Sequence, residues 1–179
     1  MSAITAFVNL QLRGGCNPDV VSHLFGGNIL ALEKKSGGVR PIAVGFTWRR
    51  LAAKCANSFA TAKLRETLSP IQLGVGVKGG CEAAVHATRR FLLSMPDSYV
   101  VAKLDFTNAF NSLRRDSMLE AVALHVPEIL QFCHSSYARP TNLLYNQHTI
   151  SSEEGVQQGD PLGPLLFCLT VQPTLRALS

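Results

Sequence analysis

Apolar positions recur along this chain with two different periods, and the switches between them predict most of its elements. Over 47–68, Trp48, Leu51, Ala52, Cys55, Phe59 and Ala62 follow at three- and four-residue steps, the spacing of one helical face. Thr47 stands where an N-cap is expected and Pro70 lies past the end. A second helix is expected over about 81–94, with Ala84, Val85, Thr88, Phe91 and Leu92 on one face and Pro96 beyond it. Further helices are predicted over 113–125 and 128–138, Pro127 suiting the first turn of the latter. An apolar helix follows Pro161, with Pro173 a point at which it would kink. In 1–27 only a short helix over 4–12 is signalled; Gly14-Gly15, Asn17-Pro18 and Gly26-Gly27 punctuate the rest.

The second period is that of strands. Residues 29–44 read as a hairpin: Ile29-Leu30-Ala31-Leu32, then Lys34-Lys35-Ser36-Gly37-Gly38, then Val39-Arg40-Pro41-Ile42-Ala43-Val44. Gly37-Gly38 supplies the backbone freedom of a tight turn, and Pro41 gives the returning strand a free edge. Residues 142–152 read as a smaller hairpin around Asn146-Gln147. Residues 99–105, Tyr-Val-Val-Ala-Lys-Leu-Asp, have almost no polar alternation and read as a central strand covered on both faces. Between the second hairpin and the last helix lies the turn Gly155-Val156-Gln157-Gln158-Gly159-Asp160-Pro161.

Composition narrows the class. With 179 residues, 46% of them hydrophobic, the chain has the size and core of one domain or a large piece of one. No apolar run reaches the roughly 18 residues of a membrane span, and no basic segment with an apolar core opens the chain as a secretory signal does. The expectation is an intracellular protein, nuclear or cytoplasmic, neither secreted nor membrane-bound. Five scattered cysteines form no CxxC and are expected to be reduced and mostly buried. The net charge is +5, and eight cations (Lys34, Lys35, Arg40, Arg49, Arg50, Lys54, Lys63, Arg65) crowd the stretch 33–65 with Glu33 as its one acid. That is the footprint of a polyanion partner, nucleic acid or a nucleoside triphosphate, or else a solvated helix face.

The candidate chemistry sits at the turns. Asp105 closes an apolar run; a carboxylate there is a helix cap or hydrogen-bonded strand end, or a Mg²⁺ ligand at a sheet edge. Phe110 is a core aromatic, or a ring against a nucleotide sugar that excludes a 2′-hydroxyl. Gly159 permits close backbone approach and the Gln158 amide can contact a nucleotide or template. Lys35 and Arg40 flank the hairpin turn, where they are solvated or reach over a triphosphate.

The order of these parts resembles the fingers and palm of a reverse transcriptase of the non-LTR retrotransposon type. Gly38-Val39-Arg40-Pro41-Ile42 resembles that family's basic fingers motif. Leu104-Asp105-Phe106-Thr107-Asn108-Ala109-Phe110-Asn111 resembles its first catalytic motif, and Gly155-Val156-Gln157-Gln158-Gly159-Asp160-Pro161-Leu162-Gly163-Pro164-Leu165-Leu166-Phe167 the motif after it. The likeness covers about 29–178. It implies Asp105 as a catalytic metal ligand, with the Phe106 carbonyl on a second ion, and Phe110 as steric gate. Gln158 and Gly159 would line the nucleotide pocket, Lys35 and Arg40 would hold the triphosphate, and Arg49, Arg50 and Lys54 would touch nucleic acid. The implied cofactor is Mg²⁺ in a two-ion site, and the implied partners are RNA template, DNA primer and deoxynucleoside triphosphates.

The expected fold is α/β (α+β). It has a weakly defined segment 1–27, a fingers-like region 28–98, and a partial palm 99–179 with a mainly antiparallel sheet. Gly163 stands where many relatives have Ser. The family's next motif, an aromatic-x-Asp-Asp hairpin, is not met by residue 179, and Asp160, Glu153 and Glu154 do not match its pattern. The expectation is therefore a fragment of a longer polyprotein that extends no primer alone. Three alternatives stand beside it: a non-catalytic nucleic-acid-binding module, a decayed mobile-element remnant, and an RNA-dependent RNA polymerase, against which bulky Phe110 argues.

Overall fold

A computed structural model describes residues 2–35 and 37–178. Two N-terminal helices, α1 (Ala3–Leu12) and α2 (Pro18–Leu24), lead into strands β1 (Gly27–Glu33) and β2 (Val39–Gly45). Helices α3 (Thr47–Lys63), α4 (Arg65–Leu68) and α5 (Gly80–Ser94) follow, then α6 (Arg115–His125). A 3₁₀ turn, Pro127–Ile129, opens α7 (Leu130–Tyr137); strands β3 (Thr141–Tyr145) and β4 (His148–Ser152) and helix α8 (Gly163–Ala177) complete the chain.

Both expected hairpins form. Gly37 and Gly38 adopt φ of 84° and 85°, and the turn closes by the Gly37 N–H donating to the Lys34 carbonyl. Ser36 of that turn lies outside the described residues. Asn146 takes φ 53° at the second turn, a left-handed conformation that Asn tolerates. The four strands make one sheet in the order β2-β1-β3-β4. Each hairpin is antiparallel, and a short parallel pairing of Gly27 and Asn28 with Leu143 and Leu144 joins them. The result is a mixed α/β fold whose sheet is mainly antiparallel.

The core lies among the helices. Ala52, Ala53, Ala56 and Ala60 of α3, Leu64 and Leu68 meet Met118 and Val122 of α6, Phe132, Cys133 and Tyr137 of α7, and Leu165, Leu166 and Leu169 of α8. Each fully buried leucine or phenylalanine there contributes about 1.5–3 kcal/mol. Burial drives the Cys133 thiol pKa strongly upward, so it behaves as an apolar side chain.

Four sequence expectations are corrected. The buried face of α3 is turned by one residue: Arg49, Ala52, Ala53, Ala56 and Ala60 face inward, while Trp48, Cys55 and Phe59 are exposed. Small alanines allow close packing, and Trp48 instead meets Phe7 of α1 edge-on at 5.7 Å. Thr47 is the first helical residue, and the N-cap position is Phe46, with no side-chain cap bond. Residues 99–105 form no strand and are exposed, Val100 at 89% and Leu104 at 73%. A strand is defined by its ladder partners, and none of the described strands pairs with this run. Finally, the cysteines are not mostly buried: Cys133 is, Cys16 and Cys168 are partly so, and Cys55 and Cys81 are exposed. Helix α2 went unsignalled, although Asn17 caps it by accepting from the Asp19 N–H at 2.9 Å.

Candidate active-site cleft

The segment after the exposed run coils tightly. Asn108 has φ 51° and its carbonyl accepts from the Ser112 N–H at 3.0 Å. This coil turns Phe106 and Phe110 toward Phe167 of α8, with ring centroids 5.8 and 5.5 Å away. Phe110 is half-buried, so one side of its ring packs and the other is available.

The Gly155-to-Pro161 turn is docked at both ends by backbone. Val156 N–H donates to the Phe110 carbonyl at 2.8 Å, and Ala43 N–H of β2 donates to the Gln158 carbonyl at 2.8 Å. Both docks depend on glycine. A Cβ at Gly155 would lie 2.4 Å from the Phe110 oxygen, and one at Gly159 would lie 2.5 Å from the Ala43 oxygen. Gly155 and Gly159 also hold φ of +64° and +127°, where L side chains are strained. Gly159 thus serves close approach to β2. The Gln158 dock also covers the open edge of β2, where Pro41 offers no donor.

These contacts bring the hairpin, the 105–111 coil and the turn around one cleft of about 670 Å³. Arg40, Asp105, Phe106, Phe110, Asn111 and Gln158 line it, and its cationic rim is Lys34 and Arg40. Lys35 is exposed beside the cleft but does not line it; Lys34, one residue earlier, takes that place. Asp105 is exposed toward the cleft and is not sealed in the interior. Among the described residues, neither of its oxygens is engaged by a hydrogen bond or ion pair.

Beneath the turn lies a network that sequence reasoning missed. Arg49 is 2% exposed, so it is not available to nucleic acid as expected of it. Its Nη2 donates to Asp160 Oδ2 at 2.7 Å and to the Tyr137 hydroxyl at 3.3 Å, and its Nη1 donates to Gln157 Oε1. Asp160 also accepts from the Tyr137 hydroxyl and from the Leu162 N–H at 2.9 Å. Gln157 Nε2 donates to Thr141 Oγ1 at 3.1 Å and to the Phe25 carbonyl at 3.3 Å. Burial first, and the Asp160 carboxylate second, raise the Tyr137 pKa well above 10.0 and keep the phenol neutral. Arg115 also packs on that ring, its guanidinium carbon 5.3 Å from the centroid. It donates to the carbonyls of Gly155 and Ser152, both at 2.9 Å. One signal for Arg49 was present in the sequence: it falls in register with Ala53, Ala56 and Ala60, at steps of four and three.

Arg50 and Lys54 are exposed one turn apart on α3, as expected of surface cations. Asp116 is the second residue of α6, whose N-cap position is Arg114. There it accepts from Arg114 Nε at 3.1 Å and from the Ser117 N–H at 2.8 Å.

For a metal, the fit is that of an open half-site. Among the described residues no three His, Cys, Asp or Glu side chains cluster to hold an ion. Mg²⁺ needs no such cage: it binds through one or two carboxylates and completes its shell with phosphate oxygens and water. A free aspartate facing a cation-rimmed cleft suits an ion that arrives with a polyphosphate. Among the described residues no helix is long and apolar enough to cross a membrane.

The reverse transcriptase (RNA-dependent DNA polymerase) family profile matches residues 32–179. The chain is also 30% identical, over 191 aligned positions, to the retrotransposable element SLACS 132 kDa protein of Trypanosoma brucei gambiense. That alignment covers 98% of this chain and 15% of the relative, so the chain spans about one-seventh of the relative's length. By the match of that profile over most of its residues, the chain belongs to the reverse transcriptase family.

Proposed function

We propose that this chain supplies the nucleotide-entry side of an RNA-templated DNA polymerase encoded by a retrotransposon. The observation that carries the proposal is convergence. Arg40, Asp105, Phe110 and Gln158, spread over more than a hundred residues, line one cleft with an unpaired carboxylate and a cationic rim. Asp105 and the Phe106 carbonyl would hold Mg²⁺, which would supply charge neutralisation at the phosphate undergoing attack. Arg40 and Lys34, with Lys35 outside them, hold the triphosphate; a guanidinium offers it two parallel donors. Phe110, braced on Phe167, stands against the sugar and excludes a 2′-hydroxyl. Gln158, held by Ala43, presents its amide to the base or template. Arg50 and Lys54 contact the nucleic acid backbone.

The fingers-and-palm division of the fold at residues 98 and 99 belongs to the same reading. So does the incompleteness of the site: remaining carboxylates and the strands that would pair with 99–105 come from other segments of a longer protein, working inside the cell. On this reading the isolated chain binds a deoxynucleotide with Mg²⁺ and extends no primer.

Equilibrium dialysis with labelled dTTP tests the binding. The unaltered chain should bind dTTP in Mg²⁺ and lose it when the ion is chelated. Asp105→Asn should weaken binding by about tenfold, equivalent to about 1.4 kcal/mol. Binding indifferent to both chelation and Asp105→Asn would contradict the assignment.

A further inference from the structure

We propose that Arg49 is a positioning residue for the nucleotide pocket, clamping the two residues that bracket Gln158-Gly159. This rests on the nucleotide reading of the cleft. Arg49 reaches Gln157 with Nη1 and Asp160 with Nη2, so one rigid guanidinium spans the turn from below. Above it, the Gln158 carbonyl is fixed to the Ala43 N–H. Gly159, between the two anchors, is held in a conformation with φ +127°. The Gln158 side chain is therefore aimed into the cleft by neighbours on both sides, neither of which touches the ligand.

The choice of a buried ion pair supports positioning over stability alone. A buried pair is frequently no more stabilising than apolar side chains of the same volume. What apolar residues cannot reproduce is a forked donor meeting two acceptors at a fixed separation. The guanidinium carbons of Arg49 and Arg115 also lie 5.6 and 5.3 Å from the Tyr137 ring centroid, and the Tyr137 hydroxyl donates to Asp160.

Two variants separate the clamp from bulk stability. Arg49→Lys keeps the buried charge but cannot meet Gln157 and Asp160 with a planar fork. The double variant Arg49→Met with Asp160→Leu removes both charges together, so no buried charge is orphaned. Amide exchange of Ala43, whose N–H is held by the Gln158 carbonyl, reports whether the turn stays docked; exchange at Val122 and Leu166 reports the core. In each variant that keeps a cooperative melt, Ala43 exchange should rise by about tenfold with the core amides unchanged, and Mg²⁺-dTTP affinity should fall by about tenfold. Ala43 exchange at the unaltered rate, or undiminished dTTP affinity despite fast exchange, would overturn the positioning role. Failure of the unaltered chain to bind dTTP would instead contradict the nucleotide reading, and the Ala43 measurement would still decide whether the clamp exists.

Discussion

Arg49 and Arg50 are adjacent and chemically identical, yet one is sealed under a turn and the other faces solvent. The difference is a 100° rotation about α3, which places Arg49 on the alanine face. Truncating it strands the Asp160 carboxylate without its cation, so Arg49→Ala should destabilise the fold by about 3–5 kcal/mol in urea denaturation. Arg50→Ala should change stability by less than about 0.5 kcal/mol; equal losses would refute the burial. Composition and charge runs hid this distinction, because a basic cluster reads as surface until the helix phase is known. The Arg114–Asp116 pair is the exposed counterpart. Its hydrogen bonds hold the Asp116 carboxyl at about 2, below the usual 3.8, with Arg114 the leading cause. A depressed carboxylate contributes stability above its unfolded pKa and loses it as pH falls through the folded one, here between 3.8 and about 2. Arg114→Ala should move the Asp116 midpoint, followed by carboxyl-carbon NMR, up toward 3.8; an unmoved midpoint would contradict the pairing.

At the scale of elements, the hairpins were legible because their turns carry the chemistry that turns need: Gly37-Gly38 at positive φ and Asn146 in the left-handed region. The order of α3, α6, α7 and α8 and the approximate extents of α6 and α7 followed from periodicity and proline positions, whereas 47–68, read as one helix, divides into α3 and α4 at Leu64. Residues 99–105 were not legible as they stand. A largely apolar run without polar alternation is the mark of a strand with neighbours on both sides, but the run cannot itself disclose whether the neighbours are present. Helix α5 presents a related case: its periodicity predicts a helix, yet Val85, Phe91 and Leu92 of its apolar face remain near half exposed. Few buried contacts mean low local stability. Amides of α5 and of 99–105 should therefore exchange faster by hydrogen-exchange mass spectrometry than those of α3 and α8. Protection of 99–105 equal to that of β1 would mean the run is paired after all.

For the whole molecule, the candidate site was more legible than the sheet. The residues that line the cleft sit in or beside turns, where the sequence needs glycine, proline and a polar side chain for local reasons, so their types survive reading without coordinates. What could not be read was the support beneath them: Gln157, Asp160, Tyr137 and Arg49 meet only through tertiary packing, with 108 residues between Arg49 and Gln157. The fold thus builds a cleft from three distant segments and stiffens it from below. The exposed runs at α5 and 99–105 fit a part whose remaining surfaces are covered in a longer protein, as its 15% share of the SLACS relative allows. The central claim is that Arg40, Asp105, Phe110 and Gln158 act as one deoxynucleotide site. An amide-resolved NMR titration with Mg²⁺-dTTP tests it most directly. The account predicts that the four signals shift together with a single dissociation constant, and that Mg²⁺-5-methyl-UTP, which differs from dTTP only by its 2′-hydroxyl, binds more weakly until Phe110 is replaced by alanine. Shifts confined to Arg50 and Lys54, or equal affinity for the two sugars in the unaltered chain, would contradict it.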